Sequence, residues 1–384
     1  MAVMKRSEGA TRAKTPAGAI VKALPPEKFF DFRGPDKQPD PEDATHDLAL
    51  NAEMRWESLA DEGYLTPNEH FFVRSHAPTP VIEASGWTLR IEGPGVERPL
   101  ELGYEELQSL PAVTATQALE CAGNGRVFFE EVHGRKAEGS PWRLGAVGVA
   151  EWTGVPLREV LERAGLKGTA HEVMVESLDA VRMRRPLPAE KALEHDTLLA
   201  FGMNGEPLPS DHGFPVRLIV PGWAAVASVK WVGSVHVSEH APLLSPWNTQ
   251  KYVLTGGSLG SRREPVTTRG VKSAVELPWP ARLEAGHHTV TGRAWSGHGS
   301  ISRVDYSVDG GASWHGARLF GPNVPGAWAR WDFEWKAAPG KYEIRVKATD
   351  DKGETQPDDV PWNDLGYLYG GVVGHPVEVY YGIP

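Results

Sequence analysis

The chain has 384 residues, 40% apolar and 23% charged, a length and composition that suit a soluble globular protein of two domains with room for a tail. Its formal net charge of -10 provides no long-range attraction to nucleic acid or to an anionic membrane. The one cysteine excludes an internal disulfide framework, a four-cysteine zinc site, an all-cysteine iron–sulfur cluster and covalent c-type haem attachment.

In chain order, Met1 to Ala23 carries basic residues but no uninterrupted apolar stretch and no twin-arginine pair, which predicts no signal peptide. No segment approaches the roughly 18 apolar residues of a spanning helix. The expected compartment is therefore cytoplasmic, or periplasmic if the chain is a processed form. Residues 1–45, with Pro25-Pro26, Pro35, Pro39 and Pro41 among charges, predict a partly disordered arm rather than a packed unit. From Trp56 to about Tyr252 helix-like and strand-like signals interleave. Pro156 to Ala164, stopped by Gly165, predicts a short helix; Val216 to Val220 and Ser228 to Val232 predict strands. The fold class expected is mixed α+β over residues 46–255.

After Pro265 the texture turns all-β. Thr289 to Trp295, Ser302 to Val308, Trp328 to Trp335 and Tyr342 to Ala348 read as strands, with a turn at Asp309-Gly310-Gly311. Turn signals at this spacing predict an immunoglobulin-like β-sandwich over residues 265–384.

The chemistry concentrates around Ala118-Leu-Glu-Cys-Ala-Gly-Asn-Gly-Arg126, where a strand-like run gives way to a glycine-rich loop. Gly123 and Gly125 permit close backbone approach to something bound, and Arg126 favours a thiolate or a nearby anion. Two other readings of Cys121 stand beside this one. A lone cysteine is usually a small buried hydrophobe, and His212 could serve it as base in a cysteine hydrolase, although no recognised nucleophile signature surrounds it.

Several segments, in order, resemble the sulfite oxidase family. They are Phe71-Phe-Val-Arg-Ser-His76, the Cys121 loop, Met203 to Arg217, Val220-Pro-Gly222, Ser228-Val-Lys-Trp231, Gly292-Arg-Ala-Trp-Ser-Gly297 and Asp309-Gly-Gly-Ala-Ser-Trp314. The resemblance implies a molybdenum cofactor, with the Cys121 thiolate as metal ligand beside the dithiolene of a pyranopterin (molybdopterin) and oxo groups. A soft sulfur donor suits such a metal. Segment matching implies cofactor contacts from Phe71, Arg74, His76, Asp179, His212, Arg217, Ser228 and Lys230, the Asp179 match being the loosest. Arg74, Arg126, Trp142 and Tyr252 match residues lining the family's pocket for sulfite, and Lys251 beside Tyr252 is a further candidate cation. Implied too are oxygen-atom transfer to a sulfite substrate and a C2 homodimer formed by the second domain.

Two departures from the family pattern concern charge. Gly125-Arg126 stands where two arginines are common, and the second-domain arginine position appears as Pro376, downstream of Pro361-Trp-Asn-Asp-Leu-Gly366. No haem segment of His-Pro-Gly-Gly type and no flavin or nicotinamide module is visible. The electron acceptor expected is thus external, dioxygen or a separate cytochrome. Two alternatives remain open on sequence alone: a molybdenum oxotransferase for another S- or N-oxide, nitrate-reductase-like, and a non-catalytic β-sandwich binding protein.

Overall fold

A computed structural model describes residues 22–32 and 49–381. Strands dominate it. The helices are short, Leu157–Arg163 being the longest α-helix, so the α+β expectation holds only in that a few short helices decorate sheets. That helix follows the local signals: Leu157, Val160 and Leu161 form its buried face, Arg163 lies in the last turn, and Gly165 at φ +74° ends it.

One five-stranded sheet sets the position of Cys121. Val113–Glu120 pairs antiparallel with Val147–Pro156, which pairs with Leu198–Met203, which in turn pairs with Arg217–Ile219. A second sheet runs Leu100–Gly103, Thr88–Glu92, Val232–Ser238, Glu172–Ser177, Arg184–Pro188. In it Val232, the first residue of its strand, faces Ser177, the last of an antiparallel neighbour. The chain just before Val232 and the chain just after Ser177 therefore leave the sheet at the same end, which brings Lys230 and Asp179 together.

Two expectations need correction. Residues 22–32 of the arm are packed: Phe29–Asp31 pairs with Asn51–Met54, and Phe29 is buried. Apolar Phe29 outweighs the local proline content once a partner strand is available. The rest of residues 1–45 lies outside the described residues. Ser228 to Trp231 is not strand; the strand begins at Val232, and Trp231 adopts φ +52°. Alternating apolar residues suggested a strand there, but the backbone is bent, with Lys230 along one wall of a cavity.

The second half forms two sheets. One runs Lys272–Val275, Gly286–Trp295, Trp328–Ala337, Arg318–Asn323; the other runs Ala281–Glu284, Gly374–Tyr380, Gly340–Asp350, Ile301–Ser307, His315–Gly316. Trp331, Phe333 and Trp335 from the first share a core with Ile344, Val346 and Ala348 from the second. This is the two-period burial expected of packed sheets.

The halves are bound by buried charge. Arg269 donates to the carbonyls of Ala118 (3.0 Å) and Gly326 (2.9 Å). Lys272 pairs with Glu120 at 2.7 Å and also donates to Asn124 O, while Trp295 Nε1 donates to the other Glu120 oxygen at 2.9 Å. Three second-half side chains thus hold the strand that ends one residue before Cys121. Among the described residues no helix is long and apolar enough to cross a membrane.

Candidate functional site

Cys121 sits where the strand Val113–Glu120 ends, its N–H on Ala146 O at 2.9 Å and its carbonyl accepting from Asn124 N at 2.9 Å. It is buried, and burial pushes its thiol up, opposed by Arg74 and Arg126. The glycines after it serve packing rather than ligand approach. A Cβ on Gly123 would lie 2.7 Å from the Arg126 guanidinium, and one on Gly125 (φ +93°) would lie 2.9 Å from Tyr369 Cβ. Close contact with the second half leaves no room for a side chain at Gly125.

A cavity of about 70 Å³ opens beside Cys121. Phe71, Arg74, His76, Cys121, Asp179, His212, Arg217, Ser228, Lys230 and Tyr252 all line it, so the structure brings together every cofactor-contact candidate, Asp179 included. Asp179 is held by Ser177 Oγ (2.5 Å) and Met183 N (3.3 Å). Three candidates lie elsewhere. Trp142 is buried in the core, edge-on to Phe32 at 4.6 Å. Arg126 is tied behind the loop to Leu365 O and Ser140 O, both at 2.9 Å, yet close enough to bear on Cys121. Lys251 is exposed, with its amine over the Trp247 ring at 4.7 Å rather than in the cavity. Adjacency to Tyr252 misled there, because Tyr252 itself takes φ +53° and the chain turns sharply.

Pro376 is also remote: it is exposed on Gly374–Tyr380, opposite Glu343. From the second half, Tyr367 packs against Tyr252 of the cavity wall. It stacks on Tyr252 (5.2 Å, 13°) and lies under the Arg126 guanidinium (5.0 Å), in a segment fixed by Leu368 N on Ala122 O at 2.8 Å. Sequence reasoning missed it because no local signal marks a tyrosine whose partners are more than a hundred residues away.

At the Cys121 end a relay of hydrogen bonds sets proton positions. Arg74 Nη2 lies 3.0 Å from His76 Nδ1, and His76 Nε2 lies 2.6 Å from Tyr252 Oη. A guanidinium only donates, so Nδ1 accepts and Nε2 donates to the phenol oxygen. Tyr252 then has its own proton to donate onward, and burial holds its ionisation far above neutral pH.

At the other end cations accumulate. Arg217 donates to His212 O (2.8 Å) and Ser228 O (3.1 Å), while its buried Nε has no hydrogen-bond partner. Lys230 donates to Ser75 Oγ (2.7 Å) and Asp211 O (2.8 Å), and Lys22 from the arm lies 3.1 Å from His212 Nε2. Burial depresses Arg217 to about 9 and both Lys230 and Lys22 to about 7, and holds His212 well below its ordinary value. Buried basic groups that must shed protons to be tolerated, with an orphaned guanidinium N–H among them, fit a missing multiply charged anion such as a phosphate.

That cluster sets a pH dependence for the ligand-free protein. Between pH 8 and 9 Lys22 and Lys230 are neutral when folded and protonated when unfolded, so the unfolded chain binds more protons and stability rises with pH. Burial raises Glu53 to about 8 and also raises Cys121, and both act in the opposite direction. With Arg217 acting in the same direction as the two lysines, the net effect is proton uptake on unfolding, so urea unfolding should show a gain in stability across that unit. A bound phosphate would keep the lysines charged and abolish the gain.

Comparison with known proteins follows the same division. Residues 76–247 match the oxidoreductase molybdopterin binding domain and residues 266–370 the Mo-co oxidoreductase dimerisation domain. The chain is 42% identical to sulfite oxidase of Gallus gallus over 346 residues, 83% of this chain and 74% of that protein. It is 36% identical to the mitochondrial sulfite oxidase of Homo sapiens, covering 86% of this chain but 64% of the human protein, just under two thirds of its length. Among solved structures, the sulfane dehydrogenase SoxCD from Paracoccus pantotrophus aligns with a TM-score of 0.81 and 29% identity, over 98% of this chain and 96% of that one.

Proposed function

Because this chain belongs to the sulfite oxidase family, we propose that it is a molybdopterin oxidoreductase that oxidises sulfite to sulfate and passes the electrons to an external acceptor, dioxygen or a separate cytochrome. One observation carries the reading: the Cys121 thiol, the Arg74–His76–Tyr252 relay and the His212–Arg217–Lys230 cluster all border one cavity. The residues fit the cofactor. Cys121 offers a soft donor, and among the described residues no three His, Cys, Asp or Glu side chains gather to hold a metal, so further donors would come from the organic part of the cofactor. Arg217, Lys230, His212 and Ser228 would hold its phosphate. When bound, the molybdenum supplies oxygen-atom transfer and the two-electron change, with water as the source of the oxygen.

The chain's own residues prepare the anion. Arg74 places fixed positive charge on the cavity wall near Cys121, and Arg126 adds charge from behind the loop. Tyr252 donates its proton to an oxyanion, and apolar Ala122 and Val226 keep competing water out. The second half, residues 266–370, would form the C2 homodimer contact. We place the division between the halves at about residues 255–265, with an immunoglobulin-type sandwich beyond it.

The test is molybdenum and pterin content of purified protein together with sulfite-dependent reduction of ferricyanide. Protein loaded with both but inert to sulfite sinks the sulfite reading alone. Tyr252→Phe is expected to keep its cofactor and to weaken sulfite handling by roughly 1 to 3 kcal/mol, seen mainly in KM; unchanged kinetics would remove Tyr252 from the pocket. A second reading, oxidation of a sulfane sulfur, is favoured by the likeness to the sulfane dehydrogenase SoxCD over 98% of this chain. Thiosulfate in the same assay separates the two.

A further inference from the structure

Lys22 lies outside the stretch that matches the molybdopterin binding domain, yet its amine reaches the cavity wall. Nζ donates to the carbonyls of Asn68 (2.9 Å) and Phe71 (2.6 Å) and faces His212 Nε2 at 3.1 Å. Phe71 and His212 both line the cavity, and their rings meet edge-on at 5.4 Å. An ammonium has three donors. Two are spent on carbonyls, and the third faces His212, which also neighbours Arg217 and Lys230.

The placement is built rather than accidental. The Lys22 amine lies over the Phe29 ring at 5.2 Å, and Phe29 is buried and paired with Met54. Between them the chain turns back at Pro25, whose carbonyl accepts from Lys28 N (2.9 Å) and Phe29 N (3.0 Å). Arg55 Nε reaches across to Pro26 O at 2.5 Å, so the turn is fastened to the body of the first half.

A lysine buried against a histidine that Arg217 and Lys230 also flank is costly by itself. Burial takes its proton at about neutral pH, and only Asp211 and Glu69 oppose that. The arrangement becomes favourable when an anion shares the space. We propose that Lys22 is a further cation of the phosphate end of the cofactor cavity, and that residues 22–32 act as a clasp that retains the cofactor. The inference rests on the molybdopterin reading above. It gives the arm a function: the amine closes over the phosphate end only after Phe29–Asp31 has joined its partner strand, so release requires that pairing to open.

The test uses full-length protein produced with its cofactor, as wild type, Lys22→Met and Lys22→Arg. Molybdenum and oxidised-pterin fluorescence per protomer are followed over time after dilution and gel filtration. Lys22→Met is expected to lose cofactor roughly ten- to a hundredfold faster than wild type, the equivalent of one charge-assisted hydrogen bond, and Lys22→Arg is expected to hold it. Ligand-free Lys22→Met should unfold in urea at the wild-type midpoint or above it, since a buried cation without its anion has been removed. Equal release rates overturn the inference. So does a drop in ligand-free stability matching that of the loaded protein, which would make Lys22 a structural tie to two carbonyls. Wild-type protein containing neither molybdenum nor pterin overturns the cofactor reading, and this inference with it.

Discussion

Cys121→Ser protein should fold, retain the pterin cavity and lose sulfite oxidation by about a hundredfold or more, a loss of roughly 3 kcal/mol in transition-state stabilisation. The exchange is nearly isosteric, and the backbone bonds of residue 121 to Ala146 and Asn124 do not depend on its side chain. Stability should therefore move by no more than about 1 kcal/mol. What changes is the donor. A hydroxyl at a buried site stays protonated and is a hard, weak ligand, whereas a thiolate beside Arg74 and Arg126 is soft and charged. Steady-state rates and the metal's EPR signal are the measurements. Wild-type turnover from the serine variant would remove Cys121 from the metal, and with it the central element of the proposed site.

The second large effect concerns the join between the halves. Lys272→Met is expected to destabilise the protein by about 3 to 5 kcal/mol in urea unfolding, because it leaves the Glu120 carboxylate buried without its countercharge. Asn124 Nδ2 (3.0 Å) and Trp295 Nε1 (2.9 Å) still donate to Glu120, which softens the loss without neutralising the charge. Glu120 and Asn124 flank Cys121, so the same variant should loosen the cofactor loop and lower molybdenum content. Replacing both partners, Lys272→Met with Glu120→Leu, should recover much of the stability, since no buried charge then remains. A cost under about 1 kcal/mol for the single variant would show that the pair is incidental.

The sequence carried the wall of the cavity well, because those residues cluster in short runs. Phe71 to His76, Asp211 to Arg217 and Ser228 to Lys230 each place several groups within a few residues, and the sheets have only to bring three runs to one end. It carried much less of what depends on distant packing. Lys22 meets His212 across 190 positions, and Tyr367 meets Tyr252 through a segment held at Ala122. Neither pairing leaves a local pattern. At Lys251, where a neighbour in sequence was used as a neighbour in space, a left-handed Tyr252 sends the side chain away from the site, and Pro376, matched to the family's arginine position, is exposed within the sheet of the second half. Strand content after residue 265 was readable from alternation, whereas the bend before Val232 was not, since Val229 and Trp231 alternate as a strand would and yet are turned inward.

The grip of Arg269, Lys272 and Trp295 on the chain before Cys121 also bears on how such proteins can be recombined. The two halves look like exchangeable modules, but the strand that leads into Cys121 is finished by side chains from the other half. A first half grafted onto a different sandwich would keep every cavity residue and still leave the carbonyl of Ala118 without its Arg269 donor and the carboxylate of Glu120 without its countercharge. The placement of Cys121 is therefore tied to three residues that line no part of the cavity. A working chimaera has to carry them across together with Cys121.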